Sequence, residues 1–183
     1  AFRDNRDKGG VAGVMVEPIG GESGAHPVHP DWNRTIRALC DRYSVHLVVD
    51  EIAVGFGRTG SLFAHQQAGI RPDFICLSKG LTGGTLPLSA VLTTDAVYAA
   101  FYDDDAARGF LHSHSYTGNP LACRAAVATL ELFEQLDQLA ANRQLARKIS
   151  AAFAGLNAHP RVSNARQQGM IWAWDIDTSL PDF

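Results

Sequence analysis

The chain has 183 residues, 46% of them apolar, and a formal net charge of −3. That is enough for one core or one and a half domains, and too apolar for a disordered chain. The slightly acidic balance gives no basic footprint for nucleic acid or an anionic membrane, and no apolar run reaches the length of a bilayer span. The opening AFRDNRDKGG lacks the apolar stretch of a secretory leader. Cys40, Cys76 and Cys123 are odd in number and lack metal-ligand spacing, so free thiols in a reducing compartment, the cytoplasm, are expected. The chain carries no initiator Met and stops at SLPDF just after a strand-like run, so a segment of a longer protein is expected.

In chain order, VAGVMVE (Val11 to Glu17) reads as a first buried strand ending in an acid, followed by the Gly- and Pro-rich loop PIGGESGAHPVHP. Asp31 to Tyr43 reads as a helix with Asp31 as N-cap. Trp32, Ile36, Leu39, Cys40 and Tyr43 fall on its inner face, and Arg34, Arg37 and Arg42 on a solvated one. Val45 to Asp50 is the next strand, which completes a βαβ unit. Glu51 to Gly60 is a glycine-rich loop at that strand's carboxyl end, where Phe56 either plugs the core or meets another subunit. A short helix over 60–69, a strand over 74–78, a strand over 88–93 and a short helix over 95–102 follow, the last capped by Thr94 or Asp95. After the polar DDDAARG and the irregular GFLHSHSYTGNPLAC, helices are predicted from Pro120 to Leu136 and from Leu139 to Leu156. VSNAR and MIWAWDI form a hairpin turned at 167–169, with Trp172 and Trp174 in a small core. A boundary near Leu136 divides the chain into domains of 1–136 and 137–183.

Two short apolar runs deliver the chemistry. VHLVV ends at Asp50 and FICLS at Lys79. Runs of this kind suit strands buried on both faces of a parallel sheet, whose ligands sit beyond the carboxyl ends. Alone, the LVVDE pattern fits a magnesium-serving strand-end acid, a ribose-binding acid or a loop-structuring Asp. A lysine at a buried strand end is poorly solvated, which favours its neutral amine and hence attack on an aldehyde. Snorkelling to water and phosphate binding are the competing readings. Together, an amine for the aldehyde and an acid for the pyridine nitrogen are what pyridoxal phosphate requires. His112 and His114 form an HxH pair, but no Cys or acid lies near it in sequence, and no metal is expected.

VVDEIAVGFGRTG, LSKGLTGG and HSHSYTGNPLAC resemble the class III, or ω-type, aminotransferases of fold type I, over roughly Val11 to Leu132. LTGGTLPLSAVLT and HSHSYTGNPLAC point within that family to the branch serving biotin biosynthesis. The resemblance implies an α/β major domain, mostly parallel sheet with flanking helices, followed by the start of an α+β minor domain. It implies pyridoxal 5'-phosphate as cofactor, Lys79 as Schiff-base lysine and proton shuttle, and Asp50 as partner of the pyridine nitrogen. Ile52 is implied on one face of the ring, and Ser115 with the backbone at His114 on a phosphate. That phosphate usually belongs to the other subunit, so a homodimer with shared sites follows. Ser113, Arg58 and Glu17 are implied in substrate binding, although loop-bracing roles for Arg58 and Glu17 compete. The implied donor is S-adenosylmethionine, the acceptor 8-amino-7-oxononanoate and the product 7,8-diaminononanoate. Ser113 and His114 stand where the family often has Gly-Pro. The family's upstream phosphate-binding turn, second ring-stacking aromatic and downstream arginine have no counterpart here. Two alternatives remain: another ω-aminotransferase using simple amines or ω-amino acids, and a nucleotide-binding ATPase core with Asp50 and Glu51 on magnesium.

Overall fold

The computed structural model describes residues 10–21, 24–177 and 179; the other residues of the two expected domains lie outside these. In chain order the elements are β1 (Gly13–Val16), β2 (Ile19–Gly20), β3 (His26–Pro27), α1 (Pro30–Tyr43), β4 (His46–Asp50), β5 (Phe74–Leu77) and β6 (Ala90–Thr93). They continue with α2 (Asp95–Ala99), α3 (Pro120–Gln135), α4 (Gln138–Ala152), α5 (Ala154–Asn157), β7 (Val162–Gln168) and β8 (Ile171–Ile176). Short 3-10 turns cover Ala64–Ala68, Lys79–Thr82 and Ala106–Arg108. The main sheet has the order β1-β4-β5-β6, with β1, β4 and β5 parallel and β6 antiparallel at the edge. This is the mostly parallel α/β sheet expected.

Alternation along the strands decides what each face meets. Val14 and Val16 of β1 and Leu47 and Val49 of β4 pack on Ile36 and Cys40 of α1. Leu47, Val49 and Cys40 are at most 1% exposed, and burying an aliphatic side chain so fully contributes about 1.5–3 kcal/mol. Farther along the sheet Ile75 and Leu77 join Phe56, Leu81 and Ala126 in a second cluster. The alternate residues face the other way, where Met15 and Val91 are each 62% exposed. The expectation of strands buried on both faces therefore fails: among the described residues helices cover one face.

The helix α1 also departs from expectation at its start. His29, not Asp31, is the N-cap, its ring Nδ1 accepting from the Asp31 amide, with Pro30 in the first turn. Proline suits that turn because its missing N–H has no partner there anyway. Trp32 is exposed, and Arg37 is not solvated: it lies against Asp73 and Asp41. The predicted 139–156 helix breaks at Phe153 into α4 and α5. Phe153 packs edge-on against Trp172 and Trp174, whose indole N–H groups donate to Ser150 and Asn157. The two tryptophans thus hold a small core, as their alternation predicts. Helix α3 starts as predicted, with Asn119 accepting from Leu121 and Ala122 ahead of Pro120. Thr94 caps α2, accepting from Val97.

Candidate active site

Parallel pairing sets the site. In register, Asp50 at the carboxyl end of β4 stands opposite Cys76 of β5, and neighbouring strands lie about 4.8 Å apart. Lys79 follows Cys76 by one short step past the end of β5. Both candidate residues thus emerge from the same edge of the sheet on adjacent strands. Asp50 alternates with Leu47 and Val49, so it points away from the face that α1 covers. It is half-buried, and its Oδ1 accepts from the Ile52 amide at 2.8 Å. Burial and then the Asp50 charge push the Cys76 thiol up, which keeps that neighbour protonated.

Lys79 has φ +42 in the left-handed region, while Ser78 before it is extended. Such a backbone is costly for a residue with a long side chain and persists where surrounding contacts fix it. Those contacts are visible. Ser78 Oγ donates to Leu88 O at 2.7 Å, and the amides of Gly83 and Gly84 both donate to Lys79 O. Gly80 leaves room for Phe56, since a Cβ there would lie 3.0 Å from the Phe56 Cβ. Phe56, buried and at φ +55, meets Phe63 edge-on. It therefore plugs the core, and in doing so it locks the loop after Asp50 onto the turn that carries Lys79. Ala122 and Ala126 bring α3 close to the same turn. Lys79 itself is exposed, against the expectation of a poorly solvated amine at a buried strand end, because the turn after β5 carries it out past the sheet; among the described residues its amine has no hydrogen-bond partner.

Glu51, one residue from Asp50, has another fate. It is fully buried and accepts from the Ala64 and His65 amides at 2.9 and 2.8 Å, with the His65 ring at 3.0 Å. A carboxylate so engaged is a fixed part of the frame. The ATPase alternative, which needs Glu51 on magnesium beside Asp50, fails on this geometry.

The remaining predicted residues divide. Ser113 and His114 line a cleft of about 580 Å³ with Ser78, Ser89, His112 and Thr117, next to Lys79 in sequence. His114 Nδ1 accepts from Tyr116 N, and its own amide donates to Thr117 Oγ1. Ser115 is exposed on the same loop and is not among the residues lining that cleft. Ile52 is half-buried directly after the strand end. Glu17 accepts from the Gly21 amide at 3.3 Å, so it braces its own loop and is not brought to Asp50 and Lys79 by any contact among the described residues. Arg58 is exposed, and among the described residues no hydrogen bond or ion pair engages its guanidinium. It does not brace its loop. Sequence reasoning missed His65 as the partner of Glu51; an acid and a histidine 14 residues apart carry no local pattern.

A family model for class-III aminotransferases matches residues 1–182. The chain is 44% identical over 163 residues to adenosylmethionine-8-amino-7-oxononanoate aminotransferase of Nitratidesulfovibrio vulgaris, covering 88% of this chain and 28% of that protein. It is 47% identical over 143 residues to the enzyme of the same name from Helicobacter pylori, covering 75% and 33%. In three dimensions it superposes on adenosylmethionine-8-amino-7-oxononanoate aminotransferase from Methanocaldococcus jannaschii with a TM-score of 0.83 at 34% identity, covering 89% of this chain and 39% of that one. It also superposes on the ornithine aminotransferase of Toxoplasma gondii with a TM-score of 0.82 at 29% identity, covering 97% and 41%. The chain spans about a third of the length of the curated relatives it matches.

Proposed function

Because the chain belongs to the class-III aminotransferases, a pyridoxal-phosphate-dependent family, we propose that it supplies the catalytic lysine and its partner acid to an enzyme of biotin biosynthesis. That enzyme moves an amino group from S-adenosylmethionine to 8-amino-7-oxononanoate and yields 7,8-diaminononanoate. The observation that carries the reading is the parallel register of β4 and β5, which sends Asp50 and Lys79 out of one sheet edge on adjacent strands. The identity to relatives of that name supports the choice of substrates.

The residues fit the cofactor. Asp50 has spent one carboxylate oxygen on Ile52 N, so Oδ2 would be the oxygen available to a pyridinium N–H. Lys79 offers an amine that no described side chain engages. When bound, pyridoxal phosphate supplies an aldehyde to carry the amino group and a ring to hold electrons at the substrate carbon. The chain's own residues do the rest. The Asp50 carboxylate holds a proton on the ring nitrogen by charge. Nζ of Lys79 removes the proton from the donor carbon that bears the amino group, and reverses the transfer with the acceptor. Ile52 would pack on the ring, and Ser115 and the His114 backbone would donate to a phosphate, that of a second copy's cofactor in a cytoplasmic homodimer, while Ser113 and Arg58 would meet the substrate. Glu17 acts on the substrate path through the loop it braces. In this reading the major domain spans 1–136 and the second begins at 137, and the left-handed backbone of Asp137 ahead of α4 supports a break there.

The test is a donor comparison in the full-length parent, with 8-amino-7-oxononanoate as acceptor and 7,8-diaminononanoate read by mass. S-adenosylmethionine is expected to outperform alanine and 4-aminobutyrate. The reverse preference would move the protein to the second reading, an ω-aminotransferase of simple amines or ω-amino acids. That reading has the similar fold of an (S)-enantioselective ω-transaminase from Thermomicrobium roseum in its favour, with a TM-score of 0.82 at 29% identity.

A further inference from the structure

We infer that the turn between β7 and β8, residues Gln168, Gly169 and Met170, is the positioning device for the loop that carries Arg58. The inference rests on the reading of Arg58 as a substrate contact. Three observations converge. The Met170 amide donates to Arg58 O at 2.7 Å. Gly169, at φ +58, lies flat against the following peptide: a Cβ there would sit 2.4 Å from Thr59 C and 2.6 Å from both Arg58 O and Gly60 N. Gln168 Nε2 donates to Gln67 Oε1 across 101 residues of sequence. Gln67 Nε2 in turn donates to Thr59 O at 2.9 Å, Thr59 Oγ1 at 3.1 Å and Ser61 Oγ at 3.0 Å.

The backbone from Arg58 to Ser61 is thus gripped from two sides, and Thr59 is only 3% exposed. The Arg58 side chain takes no part in the grip. This is the arrangement that fixes where a guanidinium starts while leaving its charge free for a ligand. The loop's own turns, Gly60 N to Gly57 O and Gly57 N to Leu62 O, both at 3.1 Å, are set within the same grip. Only glycine fits at 169, because the approach is backbone to backbone and cannot be relieved by a side-chain rotation. The hairpin therefore transmits its own placement to the strand-end loop, and a shift near 1 Å in a substrate-positioning group can cost on the order of a hundredfold in kcat/KM.

The test uses the full-length parent loaded with cofactor. Gly169→Ala and Arg58→Ala should each raise the KM of the same substrate, by about tenfold or more for Gly169→Ala, with kcat changed far less. The double variant should be no worse than Arg58→Ala, since both act through one group. Amide hydrogen exchange at Gly57 and Gly60 should quicken in Gly169→Ala. Gln168→Ala adds no strain and should move both readouts the same way by less, so the test survives if Gly169→Ala fails to fold. Unchanged exchange in both hairpin variants, or additive losses in the double variant, overturns the inference. If Arg58→Ala leaves every KM unaltered while exchange still quickens in the hairpin variants, the grip stands and the role given to Arg58 falls.

Discussion

The two edges of the main sheet treat their charges differently. At the amino edge, Asp73 accepts from the Leu47 amide and from Arg37, both at 2.7 Å, and Arg37 also holds Asp41. Burial pushes the Asp73 carboxyl up, but the hydrogen bonds from Arg37 and Leu47 and the Arg37 charge outweigh it and hold the group below the usual range. At the carboxyl edge, Asp50 is half-satisfied, Lys79 has no described partner, and the Lys79 backbone is strained. Next to Asp50, past the same strand end, stands Glu51, fully buried and bonded to Ala64 and His65. Charges that build the frame are consumed by it. The charges that the frame leaves unconsumed are held in place by other atoms: Phe56, Gly80 and the Ser78–Leu88 bond.

Substitutions can break this contrast, and the largest effect belongs to Lys79. In the full-length parent, Lys79→Ala should lower turnover by about 10⁴-fold or more while the fold persists. Lys79→Gly should be equally inactive but more stable than Lys79→Ala by about 1 kcal/mol, because it relieves the left-handed backbone. Thermal melts of the two variants measure this directly.

Glu51 comes next, with the opposite signature. Glu51→Ala leaves two buried amides and the His65 ring without their acceptor, and should cost about 3–5 kcal/mol of stability. Denaturant unfolding reads the loss. A stable Glu51→Ala protein that had lost only activity would erase the line between frame and site.

Asp50→Asn should then lower turnover by about 10²–10³-fold with little change in melting temperature. Steady-state kinetics beside a melt separates the two effects.

The smallest effect is at the amino edge. Asp73→Asn should cost about 1–3 kcal/mol at neutral pH and leave turnover per folded molecule unaltered. The sign of its pH dependence follows from the lowered folded-state value. The stabilisation is fully present above the ordinary carboxyl value of 3.8 and is lost as pH falls through the lower folded one. Acid titration of stability below about pH 4 should thus be shallower in Asp73→Asn than in the parent chain.

Much of this was legible in the residues themselves. Apolar runs closed by Gly and Pro marked β4 and β5, and the charged residues at or just past their ends marked Asp50 and Lys79 as candidates, because in such sheets ligands sit beyond the carboxyl ends. Pro120 in a first turn and Thr94 as a cap announced their helices through local signals, which sequence spacing encodes. Tertiary structure alone decided the rest. Asp31 lost its capping role to His29 because Pro30 could open the helix first, and Arg37 turned inward because Asp73, far away in sequence, was waiting for it. Whether Arg58 braces or reaches, whether Glu51 serves a ligand or the frame, and which face of the sheet is covered all depend on partners brought close by folding. Local pattern records what a residue can do; the contacts that consume or spare its charge come from distant segments.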